Sequence, residues 1–163
     1  MQWQEVTRME LIGSIICIKD AMIMLSNNEK TVTWPYVTCE PGEYVFEVFL
    51  QPGTRFAYRA RFRAADSEPE IGNKVGSVEV DSAFIGIIDY EHFLNTVNSS
   101  YEDYEDWTAM ELDDELVSNF CGKVEFNQAS LLYVLSGDGD GTYDCHALVQ
   151  NGKQVGIECI FEP

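Results

Sequence analysis

Apolar and polar positions alternate with a period of two over much of this chain, the pattern of strands buried on one face. In 44–50, Tyr44, Phe46, Val48 and Leu50 fall on one face, opposite Val45, Glu47 and Phe49. In 55–63, Phe56, Tyr58, Ala60 and Phe62 point inward, while Arg55, Arg59, Arg61 and Arg63 point outward. The turn Gln51-Pro52-Gly53-Thr54 joins the two runs into a predicted hairpin, with glutamates facing arginines across the strands. The end of the chain, 131–161, holds three strand-like runs and two turn signals. The first turn, 136–141, includes Gly137, Asp138, Gly139, Asp140 and Gly141, and its glycines accept positive φ without steric cost. The second is Asn151-Gly152, the pair that a type I′ hairpin turn prefers. Together these predict a closing three-stranded antiparallel meander.

Upstream, 9–19 reads as one strand broken at Gly13, 22–25 as a second short strand, and 31–36 as a strand that ends at Pro35. Glu40-Pro41-Gly42-Glu43 predicts a type II turn, with Pro41 presetting φ and Gly42 at the next position. A polar loop is expected over 66–74 and β structure over 75–88, interrupted at Asp81-Ser82. Asp89 is placed to cap a helix over 91–97, which Asn98-Ser99-Ser100 ends. A second helix over 111–121 puts Leu112, Leu116, Val117 and Phe120 on one face, with Gly122 as its cap. The predicted fold is one β-rich α+β domain spanning 1–163, mostly antiparallel, with two short helices.

Composition narrows the partners. With 28 acids against 10 bases the net charge is −18. That argues against nucleic acid and against an anionic membrane surface, and it favours fast association with a basic protein. No apolar run approaches the roughly 20 residues of a membrane helix, and the N-terminus lacks the basic and apolar regions of a signal peptide, so a soluble, cytoplasmic protein is expected. The five cysteines are scattered and odd in number, which speaks for small buried hydrophobes rather than a disulfide framework or a zinc site.

The compositional outlier is 101–115. It holds Glu102, Asp103, Glu105, Asp106, Glu111, Asp113, Asp114 and Glu115 without a single base, interleaved with Tyr101, Tyr104 and Trp107. A solvated helix start would need the acids but not the aromatics. The segment is therefore the candidate partner-binding surface, with carboxylates for Lys and Arg and with Tyr104 and Trp107 as anchors.

Catalytic signals are absent by comparison. Asp138-Gly-Asp140 begins like a calcium loop, but Tyr143 and Val149 stand where glycine and glutamate are required, so the segment reads as a turn and no metal or cofactor is expected. Cys145 and His146 are neighbours in a strand and face opposite ways. Scattered aspartates (Asp20, Asp81, Asp89, Asp138, Asp140) keep open a reading as a hydrolase or small-ligand binder working near the glycine turn.

Gly13-Ser-Ile15 with Asp20, Pro41-Gly42-Glu-Tyr44, Ala57 to Arg63, Val80-Asp81 with Asp89, Ser136-Gly-Asp-Gly-Asp-Gly-Thr-Tyr143 and Gly152 to Phe161 together resemble a bacterial family known only as a domain of unknown function. Ala83 and Asp144 depart from it, where the family pattern has glycine and proline. The resemblance implies a β-rich fold and membership of toxin–immunity neighbourhoods, and it brings no catalytic residues. The leading expectation is a non-enzymatic immunity protein that neutralises a basic toxin domain. A structural or regulatory subunit of a homo-oligomer is the remaining alternative.

Overall fold

The structure is a computed structural model and describes residues 3–29, 31–54, 56–137 and 139–162. The strands are β1 Gln4–Leu11, β2 Ile15–Asp20, β3 Tyr36–Thr38, β4 Gly42–Leu50, β5 Ala57–Ala64, β6 Glu70–Val80 and β7 Phe84–Asp89, then β8 Cys121–Phe126, β9 Ala129–Leu135, β10 Gly141–Gln150 and β11 Lys153–Ile160. Between β7 and β8 run α1 (Tyr90–Ser99), α2 (Tyr101–Trp107), a π-helical turn (Thr108–Leu112) and α3 (Asp113–Ser118). The fold is α+β and β-rich, as the periodicity predicts.

One sheet has six strands in the order β1-β4-β5-β11-β10-β6, and the other has five in the order β3-β2-β7-β9-β8. Every pairing within them is antiparallel among the described residues. The sheets stack face to face. Phe46, Val48, Ala60, Phe62 and Ile157 of the larger sheet meet Ile16, Ile18, Ile85, Ile87, Leu132 and Val134 of the smaller. The smaller sheet's other face is also covered: Cys17, Ile88, Leu131 and Tyr133 pack against Phe93, Val97, Tyr104, Trp107 and Leu116 of the helical layer. Burial on both faces is why β2, β7 and β9 read as continuous apolar runs rather than alternating ones.

The chain passes between the sheets four times, at β1–β2, β3–β4, β6–β7 and β9–β10. A crossing loses its ladder partners, so its backbone groups must be satisfied otherwise. At β1–β2, Asp89 accepts hydrogen bonds from Ile12 N (2.7 Å) and Gly13 N (2.9 Å), and it caps α1 as well by accepting from His92 N. At β6–β7, the Asp20 carboxylate accepts from Asp81 N, Ser82 N and the Ser82 hydroxyl. At β9–β10, Ser136 N and Oγ both donate to Ala83 O. At β3–β4, Cys39 N donates to Ser14 O and the Tyr44 hydroxyl to Glu40 O.

These crossings correct several expectations. Residues 9–19 are two strands in two sheets, parted at Gly13, where a Cβ would lie 2.7 Å from an Asp89 oxygen. The closing meander is a hairpin only: β10 and β11 pair, while β9 lies in the other sheet with both edges taken by β7 and β8. The 136–141 segment is therefore a sheet-to-sheet crossing. Gly137 (φ 51) and Gly139 (φ 109) sit in it, and Asp138 lies outside the described residues. Residues 22–25 form no strand because side chains take their backbone groups: Met22 N donates to Asp20 Oδ1, Leu25 N to the Tyr104 hydroxyl, and Lys19 Nζ to Ile23 O. That lysine is fully buried, and burial pushes it down to about 8.

Pro41-Gly42 is not a type II turn, since Gly42 opens β4 at φ 145, far from the roughly +80° of that turn. Residues 70–74 belong to β6 rather than to a loop. The second helix begins at Tyr101, Val117 is 81% exposed, and Gly122 is inside β8 rather than a cap.

The β4–β5 hairpin is present, but a bulge between Phe49 and Leu50 places Ala57 inward and leaves Phe56 exposed. Arg55 lies outside the described residues. The expected cross-strand pairing holds: Glu47 accepts from Arg61 Nε (2.9 Å) and Arg63 Nε (2.7 Å). Burial alone would raise the Glu47 carboxyl, and the two guanidinium groups more than offset it, so its pKa lies below the ordinary value.

Asn151 (φ 54) and Gly152 (φ 76) form the predicted type I′ turn between Gln150 and Lys153. Gly152→Val places a β-branched residue at positive φ and should cost about 1–3 kcal/mol in denaturant unfolding. An unchanged midpoint would contradict the turn's role. Ala83 takes φ 71, a conformation that glycine adopts freely. Ala83→Gly should therefore raise unfolding stability by about 0.5–1 kcal/mol, the relieved strain less the added chain entropy. A loss of stability would show that the methyl group outweighs the strain.

Burial would raise the Asp20 carboxyl, but hydrogen bonds from Ser82, Asp81 and Met22 hold it below the ordinary aspartate value. A lowered folded pKa stabilises fully above the ordinary carboxylate range, and that contribution is lost as pH falls through it. Between pH 6 and 2 the parent should lose stability more steeply than the Asp20→Asn variant. Parallel curves would contradict this.

Candidate functional site

The acid-rich helical segment lies on the outside of the helical layer, and its two kinds of residue part company there. Helical periodicity turns Tyr104 and Trp107 inward, three residues apart, onto the smaller sheet. Tyr104 is 2% exposed and Trp107 6%. Their rings stack at 5.9 Å and close on Phe126, whose ring lies 5.4 Å from Tyr104 and 5.5 Å from Trp107. The expectation that these two aromatics stand out as free anchors is thereby corrected, because their rings are core. Tyr101 is half-buried against Tyr104. Glu102, Asp103, Glu105, Asp106, Glu111, Asp113 and Asp114 are all exposed.

Three of these acids converge with Trp107. Asp103, Asp106 and Trp107 of α2 and Met110 and Glu111 of the π-helical turn form one wall of a groove of about 480 Å³. Glu125, Phe126 and Asn127, at the tip of the β8–β9 hairpin, form the other. Four carboxylates and, among the described residues, no base line it. Tyr101, Glu102, Glu105, Asp113 and Asp114 do not reach it.

Three local features set the groove's shape. The π-helical turn Thr108–Leu112 widens the helix by one residue just after Trp107 and leaves Met110 66% exposed. The hairpin tip holds Asn127 at φ 46 and Gln128 at φ 72, two successive positive values without a glycine. Finally, Trp107 Nε1 is a buried donor with no hydrogen-bond partner, the single such side-chain atom among the described residues. Inspection of the acidic segment missed Met110, Glu125, Phe126 and Asn127. The hairpin half was hidden because Asn127-Gln128 carries no glycine, so the usual turn signal is missing.

Other positions singled out from the sequence serve the fold. Asp20 and Asp89, candidates for acid–base work, are committed to the fold: Asp20 holds its crossing with both carboxylate oxygens, and Asp89 holds its crossing with Oδ2 and caps α1 with Oδ1. Asp140 is exposed, and Tyr143 donates its hydroxyl to Gly139 O in the same crossing. No cluster of His, Cys, Asp or Glu is arranged to hold a metal ion among the described residues.

His92 lies in a smaller cleft of about 230 Å³ with Asp89 and Lys123, but Asp89 is committed to backbone amides and Lys123 Nζ donates to Arg8 O. A wider notch of about 720 Å³ opens where the Asn151-Gly152 hairpin meets Pro41, Gly42 and Tyr44. One of its acids, Glu40, is paired with Lys153. Cys145 and Cys159 face each other across β10 and β11 as buried thiols, 3.6 Å between sulfurs. No helix among the described residues is long and apolar enough to cross a membrane. Compared with protein-family models, curated proteins and solved structures, the chain matches none.

Proposed function

We propose that this chain is a non-enzymatic binding protein that captures a basic protein partner through the acidic groove between α2 and the β8–β9 hairpin. The observation that carries the reading is the groove itself: Asp103, Asp106, Glu111 and Glu125 converge on one recess with an exposed Met110 and, among the described residues, no neutralising base. Low-dielectric walls focus the field of such a cluster, and the overall charge of −18 extends its reach toward a cationic partner. Neutralising a toxin domain, in the cytoplasm, is the form of this function suggested by the resemblance to a bacterial domain-of-unknown-function family, which implies membership of toxin–immunity neighbourhoods. The partner's cationic face, the surface a toxin would use on an anionic substrate, is then the face that the groove covers.

The test is kinetic binding of a hexa-arginine peptide at two salt concentrations. The parent should associate fast at low salt and lose affinity steeply as salt rises. The D103N/D106N/E111Q/E125Q variant should bind at least about tenfold more weakly, with a flatter salt dependence. Its thermal midpoint should match or exceed the parent's, because removing exposed like charges relieves repulsion. Equal binding by both proteins would reduce the groove to a solvated face. Co-expression with a toxin gene adjacent to this one tests the immunity form: the parent should restore growth and the variant should not.

A further inference from the structure

We infer that the groove's occupant is an extended peptide segment rather than a bare cation, and that the Trp107 indole N–H donates to one of that segment's backbone carbonyls. This inference rests on the binding function proposed above and concerns the same site. Trp107 is 94% buried (6% exposed), forms part of the groove wall, and carries a side-chain donor that has no partner. An indole nitrogen donates and cannot accept, so it needs an acceptor, and carbonyl, carboxylate and hydroxyl oxygens are the strong ones that a protein partner offers. Leaving such a donor unpaired costs about 1–3 kcal/mol, a penalty a core residue without further use avoids by being phenylalanine.

The groove's own carboxylates do not make the bond, although four of them line the same recess. A cationic side chain brings only donors and would leave the indole unanswered. The main chain of a peptide brings both: its basic side chains meet Asp103, Asp106, Glu111 and Glu125, and its carbonyl meets Trp107.

The nitrogen is shielded from solvent in the unbound chain. The bond therefore requires the lining at Trp107 to shift, and the segment that continues the same wall is the π-helical turn Thr108–Leu112, with Met110 exposed. A π-helical turn carries one residue more than an α-helix needs and recurs at functional sites, so it is the place in this wall where a shift is expected.

Two probes separate the alternatives: an acetylated hexa-arginine peptide, which has carbonyls, and spermine, which is a cation without any. Trp107→Phe keeps the apolar bulk and removes the donor. Its affinity for the peptide should fall by about tenfold (about 1.4 kcal/mol), its affinity for spermine should stay at the parent's value, and its melting temperature should not fall by more than a few degrees.

In the unaltered chain the Trp107 indole proton, identified by its disappearance in that variant, should move downfield on saturation with peptide and stay in place with spermine. That readout holds even if the variant folds poorly. An indole resonance unmoved while the peptide saturates the groove would overturn the inference, as would equal loss of both probes in Trp107→Phe. If the fourfold charge variant lost peptide binding while Trp107→Phe kept it, the groove would stand and the carbonyl bond would fall. If the parent bound no peptide, both readings would fall together.

Discussion

A buried carboxylate that accepts several backbone N–H groups is the interaction on which this architecture depends. The chain changes sheets four times, and each change strips amides of their ladder partners inside a packed protein. Asp89 answers two of them at the first crossing and also caps the helix that follows β7. Asp20 answers two more at the third crossing and orders Met22 at the start of the 21–35 loop. The helical layer is thus tied to β1 through one residue, and the two sheets to each other through another. Such groups hold when every acceptor position is used, since a half-satisfied buried charge costs more than none. The larger sheet's outer face follows the same rule in pairs, with Glu47 between Arg61 and Arg63 and the 2%-exposed Glu158 on Arg59. Glu158 has one guanidinium where Glu47 has two, and burial raises its carboxyl.

That rule also explains which parts of the structure the sequence discloses. Period-two alternation marks β4 and β5 and their arginine–glutamate pairing because each strand has one apolar and one polar face. Asn151-Gly152 marks its turn because both residues take positive φ. What alternation does not carry is the sheet in which a strand lies. Ser136–Gly141 looks like a hairpin turn, since a glycine-rich crossing and a glycine-rich hairpin ask the same conformations of the chain. The aspartates look equally ambiguous, because an acid that satisfies backbone amides and an acid poised for catalysis are the same residue until their partners are seen. Ala83 shows the converse: a glycine conformation is present at φ 71, and the residue type conceals it.

The groove was half legible. Its acids stood out as a base-free run, but the aromatics among them divide by helical phase, so Tyr104 and Trp107 turn to the core and leave the exposed apolar position to Met110. The opposing wall comes from a hairpin whose turn lacks glycine. The site joins a charged rim, an exposed thioether and a buried donor without a partner, at a helical turn that departs from α geometry. A core aromatic that also lines an acidic recess links stability to recognition: Trp107 packs in the helical layer and forms part of the groove wall.

The central claim is about place, so a map of where a basic segment binds tests it most directly. Backbone amide resonances of the labelled chain, followed through a titration with hexa-arginine, should shift at Asp103, Asp106, Trp107, through the π-helical turn Thr108–Leu112, and at Glu125, Phe126 and Asn127, and remain still at sites remote from the groove. Shifts centred instead on Glu40, Glu43 and Asp66 at the wider notch, or spread evenly over the acidic surface, would contradict the account.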